Sequence, residues 1–183
     1  MTDRRVLVLY ASNYGQTRKV ALRIADRLRE APADVEVSAI GESPDATAYD
    51  LVVVGGSIHA GNHQRALERW MRSHAGALNA RPTAVFSVSL SATDEDGDGR
   101  VTATKYLTEL LSRTGVETDR TAVIAGALAY RDYNPLIRWM MRRLARRKGL
   151  PDDTSHNVEL TDWDAVDRFG AELVEGFGLR SAP

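Results

Sequence analysis

Residues 6–17 read VLVLYASNYGQT, an apolar run that passes without a break into a small, hydroxyl-rich turn and then into a helical pattern. Strand, tight turn and helix in that order leave the first backbone N–H groups of the helix unpaired, with the positive end of its dipole behind them. Such a corner binds anions, and phosphate is the natural occupant. What the turn lacks narrows the ligand. No G-x-x-x-x-G-K-[ST] occurs in the chain, and the nearest string, Gly56 to His63, carries Asn62 where a triphosphate-binding Lys would stand. Gly15 stands alone where a dinucleotide site needs three spaced glycines. The loop therefore suits one terminal phosphate, held by Ser12, Thr17 and the amides of Asn13 to Gln16. Its plainer reading is that Ser12 only caps a helix.

Further along, runs rich in Val, Ile and Ala alternate with helical stripes, the pattern of a parallel sheet covered on both faces. Strands are expected near Val6–Tyr10, Val35–Ile40, Leu51–Gly55, Ala84–Leu90 and Thr121–Ala127. Helical stripes are Val20/Ala21/Ile24/Ala25/Leu28, Leu67/Trp70/Met71/His74, Tyr106/Leu107/Leu110/Leu111 and Val166/Phe169/Leu173/Val174/Phe177, the last capped by Thr161 or Asp162. Five strands within 183 residues predict one α/β domain over 1–183: a flavodoxin-like, doubly wound sheet of order 2-1-3-4-5 with helices on both faces. Ligands of such sheets sit beyond the carboxyl ends of the strands where the winding reverses, so the loops after Tyr10, Gly55 and Leu90 should converge. The absence of cysteine excludes disulfides and thiolate chemistry. Without a signal-like segment or a bilayer-length apolar run, a cytoplasmic location is expected.

One segment departs from the near-neutral balance of the chain. Residues 134–150, NPLIRWMMRRLARRKGL, contain no acid. On a helical projection Leu136, Ile137, Met140, Met141 and Leu144 share one side, and Arg138, Arg142 and Arg146 oppose them. With Trp139 at the border, this basic amphipathic insert, about 131–151, reads as a contact for anionic headgroups or as a collar for an anionic substrate. The alternative is a core-packed helix with a solvated basic face. Asp94, Asp96, Asp98 and Gly99 imitate the opening of a calcium loop, but Lys105 occupies the position of the essential Glu, so a solvated acidic loop is expected. His59 and His63 would share a helix face if that stretch were helical, yet no third ligand accompanies them, and no metal site is expected. Basic residues elsewhere are interspersed with acids, which leaves no footprint for nucleic acid.

The string SNYGQT resembles the phosphate loop of flavodoxins, which bind flavin mononucleotide (FMN). GGSIHAG after the third strand, SVSL at the fourth, VIAGALAYRDY at the fifth and TDW before the last helix together resemble the menaquinone-dependent protoporphyrinogen dehydrogenases of the HemG type. The resemblance runs from the first strand to the final helix. It implies that Ser12, Asn13, Tyr14, Gly15, Gln16 and Thr17 hold the FMN phosphate and that Ser57, Ile58, His59, Ala60 and Gly61 lie along one edge of the isoalloxazine. Ser89, Leu90 and Ser91 would line its other side, with Gly126 to Tyr130 close by. Gly55, Gly56 and Gly61 would let backbone approach the ring. The Arg-Tyr pair that the family can carry at His59-Ala60 is absent, and the acidic stretch Thr93 to Gly99 replaces a basic one.

The implied activity is oxidation of protoporphyrinogen IX to protoporphyrin IX in heme biosynthesis, with electrons passed to menaquinone or another quinone. Arg131, Arg138 and Arg142 are the expected partners for the substrate's propionates, and His59 is the one candidate for handling protons. Residues 135–148 would meet the inner face of the cell membrane, or a second subunit of a homo-oligomer. The alternatives are a soluble flavodoxin electron carrier, an NAD(P)H:quinone reductase, or a membrane-tethered adaptor that has lost its flavin.

Overall fold

The computed structural model describes residues 4–93 and 98–179. In chain order these form β1 (Arg4–Ala11), α1 (Gln16–Leu28), β2 (Ala33–Ala39), β3 (Leu51–His59), β4 (Asn62–His63), α2 (Arg65–Ser73), α3 (Ala75–Asn79) and β5 (Thr83–Ser89). After these come α4 (Asp98–Thr114), β6 (Arg120–Ala125), β7 (Ala127–Leu128), α5 (Pro135–Arg147), β8 (Val158–Glu159) and α6 (Trp163–Gly176). The long strands are parallel in the order β2-β1-β3-β5-β6. Without the short β4, this is the 2-1-3-4-5 order expected from the sequence. β1 lies between β2 and β3, so the chain winds one way through α1 and the other way beyond β3. Ala11 pairs with Gly56 at the carboxyl end, which puts the loops after β1 and β3 side by side.

Strand alternation divides the core. Val6 and Val8 point with Val53 and Phe86 toward α1 and α6, whereas Leu7, Leu9 and Val54 point toward α2, α3 and α4; all are buried. A carboxylate network fastens α1 to α6. Arg23 donates twice to Asp167, at 2.6 Å each, and Arg27 adds a bond of 2.8 Å. These guanidinium groups hold the Asp167 carboxyl well below the usual carboxylate range. Asp162 caps α6 by accepting from the Ala165 amide at 3.0 Å, which decides between the two expected caps.

β3 runs farther than expected. Ser57 to His59 continue the strand, which turns back on β4 through Ala60 (φ 48°) and Gly61 (φ 78°), so Ile58 faces His63 and His59 faces Asn62. Paired positive φ values suit a tight hairpin. His59 and His63 therefore lie on opposite arms of a hairpin and not on a helix, which removes the shared-ligand geometry. Among the described residues no cluster of acids and histidines could hold a metal. Of the expected solvated acidic loop, Asp98 and Gly99 instead start α4, with Gly99 buried, while Asp94 and Asp96 lie outside the described residues.

The glycines of β3 serve packing. A Cβ on Gly55 would stand 2.0 Å from the Phe86 ring, and one on Gly56 would stand 2.4 Å from Leu67. Gly61 answers to its turn and to Tyr106, whose ring would be 3.1 Å from an added Cβ. At Gly55 and Gly56, packing within the protein is by itself enough to exclude a side chain.

Beyond β6 the chain leaves the sheet and builds a satellite. β7 and β8 pair antiparallel at its base. Asn134 caps α5 by accepting from the Ile137 amide at 2.9 Å, with Pro135 in the first turn. Ile137, Met141 and Ala145 pack on Leu128, Tyr130 and Tyr133. This inner stripe is narrower than the apolar side drawn from sequence. Leu136, Trp139 and Met140 are 73%, 61% and 54% exposed, so the helix turns a second apolar face outward. Among the described residues, no helix is long and apolar enough to cross a membrane.

Candidate functional site

A cavity of about 280 Å³ opens where the loops after β1, β3, β5 and β6 meet, with α5 as its outer wall. One end is the turn before α1. Ser12 Oγ accepts from the Gly15 amide at 2.9 Å, which closes the turn, and Gly15 takes φ 89° in open space. Only a residue at ease in the left-handed region fits there. No side chain caps the first turn of α1. Its N–H groups are left to whatever occupies the cavity, so Ser12 shapes the loop instead of capping the helix. Thr17 is buried and lines the same end. Gln16 donates to Thr161 Oγ1 at 2.8 Å, and Thr161 donates to the Ala125 carbonyl at 2.8 Å, so the TDW string anchors the loop to the end of β6. Among the described residues no Lys or Arg lines the cavity, and attraction for an anion comes from amides, hydroxyls and the helix dipole.

The other end is a narrow slot. Ser57, Ile58, His59 and Ala60 form one side; Val88, Ser89, Leu90, Gly126 and Ala127 form the opposite side. Tyr14 reaches from the turn before α1 into an aromatic cluster, edge-on to His59 with centroids 5.6 Å apart and edge-on to Tyr133 at 4.8 Å. Ile137, Met140 and Met141 complete an apolar wall.

Of the residues singled out from sequence, Ser12, Asn13, Tyr14, Gln16, Thr17, Ser57, Ile58, His59, Ala60, Ser89, Leu90 and Gly126 line this one cavity. Gly15, Gly61 and Ser91 do not; they shape the turns that carry the lining. Ser91 is fixed by its amide, which donates to Ser89 Oγ at 3.1 Å. Tyr130 is displaced outright. Its side chain is fully buried in the satellite core and donates to the Pro151 carbonyl at 2.9 Å.

The expected cations are also redistributed. Arg138 donates to the carbonyls of Tyr130 and Tyr133 at 2.8 and 3.1 Å, and Arg142 stands 3.5 Å from Asp152. Both brace the satellite. The Arg131 side chain is exposed and has no partner among the described residues. Tyr133 and the pocket side of α5 were missed, although the alternation of Ile137 and Met141 was visible; nothing local in the sequence says which apolar stripe of that helix turns inward.

The two histidines differ in setting. Desolvation lowers His59 below its ordinary value although its residue keeps an exposed edge, so the imidazole is neutral near pH 7. His63, on the β4 arm of the hairpin, is buried; Nε2 lies 2.7 Å from Ser87 Oγ and Nδ1 has no partner among the described residues. Burial, assisted by the Arg113 charge, pushes it down to about 4.

A flat ring in the slot and a phosphate at the uncapped helix end suit FMN, and the donors present fit the group. Comparisons with known proteins agree. The family model described as "Flavodoxin domain" matches residues 7–155. The chain is 34% identical to the protoporphyrinogen IX dehydrogenase [quinone] of Escherichia coli (strain K12) over 171 residues, 92% of this chain and 94% of that protein. It is 30% identical to the protein of the same name from Leishmania major, over 92% of this chain and 74% of the relative. The crystal structure of oxidised flavodoxin 2 from Bacillus cereus superposes with a TM-score of 0.59 at 21% identity, covering 94% of this chain and 99% of that one, which bears on the fold alone.

Proposed function

For a chain that belongs to the flavodoxin domain family, and within it to the quinone-dependent protoporphyrinogen IX dehydrogenases, we propose FMN-dependent oxidation of protoporphyrinogen IX to protoporphyrin IX with a quinone as acceptor. The observation that carries this reading is the apolar wall of Ile137, Met140 and Met141 built against a flavodoxin-type cavity. That wall makes the ring end a place for a large apolar reductant and a lipid-soluble oxidant.

FMN, when bound, supplies the exchange of two electrons per cycle. Removal of six electrons and six protons from the porphyrinogen then takes three cycles at one site. The residues of the chain orient and shield. The α1 amides with Thr17 hold the phosphate; Ser89, Leu90 and Gly126 form one wall of the slot, opposite the hairpin. The α5 wall keeps water from the ring end, which protects a substrate prone to oxidation in solution. Neutral His59, at the mouth of the cavity, is placed to accept a proton released there.

Arg131 is the residue left available for a propionate, since Arg138 and Arg142 are committed elsewhere. The exposed Leu136, Trp139 and Met140, beside Arg143 and Arg147, support contact of residues 135–148 with an anionic membrane on its cytoplasmic side, where menaquinone would be collected. The test is anaerobic turnover of FMN-loaded protein with protoporphyrinogen IX. Porphyrin fluorescence should grow beyond about one porphyrin per three flavins only when a menaquinone analogue is supplied. Absence of porphyrin with quinone present, or faster quinone reduction with NAD(P)H than with porphyrinogen, would overturn the reading.

A further inference from the structure

Gln64, the residue before α2, is not among the residues lining the cavity, yet its amide joins the two ends of the site. Nε2 donates to Ser57 Oγ at 2.8 Å and to Asn13 Oδ1 at 3.2 Å, bridging a strand at the ring end and the loop at the phosphate end. Both side-chain N–H groups are thereby used, and Oε1 is buried without a partner among the described residues. Asn13 Oδ1 can only accept, so the group between it and Ser57 Oγ is the donating Nε2.

The direction of the first bond has a consequence for chemistry. A hydroxyl has one proton, and Ser57 Oγ is accepting from Gln64. Its own O–H is free, since no other hydrogen bond engages Ser57 Oγ among the described residues, and Ser57 lines the cavity.

We propose that Gln64 is a positioning residue of the flavin site, which fixes the Ser57 hydroxyl as a hydrogen-bond donor toward the cavity and ties it to the phosphate loop through Asn13. The inference rests on the flavin reading above. A bound flavin presents acceptor atoms at its ring edge, and a donor held in advance costs no reorganisation when the ring arrives.

Gln64→Glu tests the polarity with almost no change of shape. A carboxylate can only accept, so it turns the Ser57 proton away from the cavity and faces Asn13 Oδ1 unfavourably. FMN dissociation constants are read from flavin fluorescence quenching for the wild type, Gln64→Glu, Ser57→Ala and the double variant, with circular dichroism as the folding control. Each single variant should weaken FMN binding about tenfold, and the double variant should be no more than about twofold weaker than either. Gln64→Met, which fills the space without donating, should lose as much as Gln64→Glu and replaces it if the carboxylate prevents folding. An affinity of Gln64→Glu or Gln64→Met within about twofold of wild type, or a double variant weaker by about the product of the singles, would overturn the proposal. A folded wild type that takes up no FMN would overturn the flavin reading itself.

Discussion

His63 is a built-in acid sensitivity, and its size follows from its burial. In the unfolded chain its imidazole titrates near the ordinary value of 6.5; in the folded protein it titrates near 4. Between those values the unfolded state binds a proton that the folded state refuses, so stability falls as pH drops and is complete above the upper value. For a shift of this size, linkage gives a loss of about 2 kcal/mol by about pH 5 and about 3 kcal/mol once both states are protonated. The neutral ring, at 2.7 Å from Ser87 Oγ, is the form that the fold accepts. Urea unfolding of the apoprotein at a series of pH values would show the loss, and His63→Gln should remove most of it while keeping an amide near Ser87. His59, lowered in the same direction, adds to the slope, and the lowered carboxylates, Asp167 foremost, add to it below about pH 5. Parallel stability curves for wild type and His63→Gln from about pH 7.5 to 5 would refute the reasoning.

Other expectations follow from single contacts. Gly55→Ala forces a methyl into the Phe86 ring and should cost about 1–3 kcal/mol, read by thermal unfolding; an unchanged melting temperature would mean that the ring moves freely. Thr17→Val should weaken FMN binding about tenfold but riboflavin binding less than about twofold, because the hydroxyl serves the phosphate; equal losses would place Thr17 elsewhere. Trp139→Ala combined with Leu136→Asp should reduce sedimentation with vesicles of anionic phospholipid, and salt should weaken the wild-type binding. Unaltered sedimentation of that variant would remove α5 from the membrane.

What the sequence revealed and concealed divides along the range of the interactions involved. The turn between β1 and α1 was legible because strand, turn and helix entry are consecutive, so the places of Ser12, Gly15 and Thr17 are set locally. The strand order was legible because Val-rich runs alternate with helices and such units wind in few ways. Nothing local marks the hairpin at Ala60–Gly61, since β4 is only Asn62–His63 and exists through pairing with β3. The roles of Gly55 and Gly56 depend on Phe86 and Leu67, residues distant in sequence that no local pattern names. The resemblance implies Tyr130 near the flavin and the basic helix offers Arg138 to the substrate, yet both brace the satellite through carbonyls whose positions only the fold determines. Gln64 carries no motif at all and becomes visible only when Asn13 and Ser57 are seen on either side of it.

The central claim concerns which molecule gives electrons to this cavity and which one takes them. Anaerobic titration of the oxidised, FMN-loaded protein with protoporphyrinogen IX, followed through the visible flavin band and porphyrin fluorescence, addresses it directly. The expected result is bleaching of about three flavins per porphyrin formed, with full recovery of the band on addition of a menaquinone analogue. A flavin that stays oxidised in excess porphyrinogen, or one that is reduced but not restored by quinone, would contradict it.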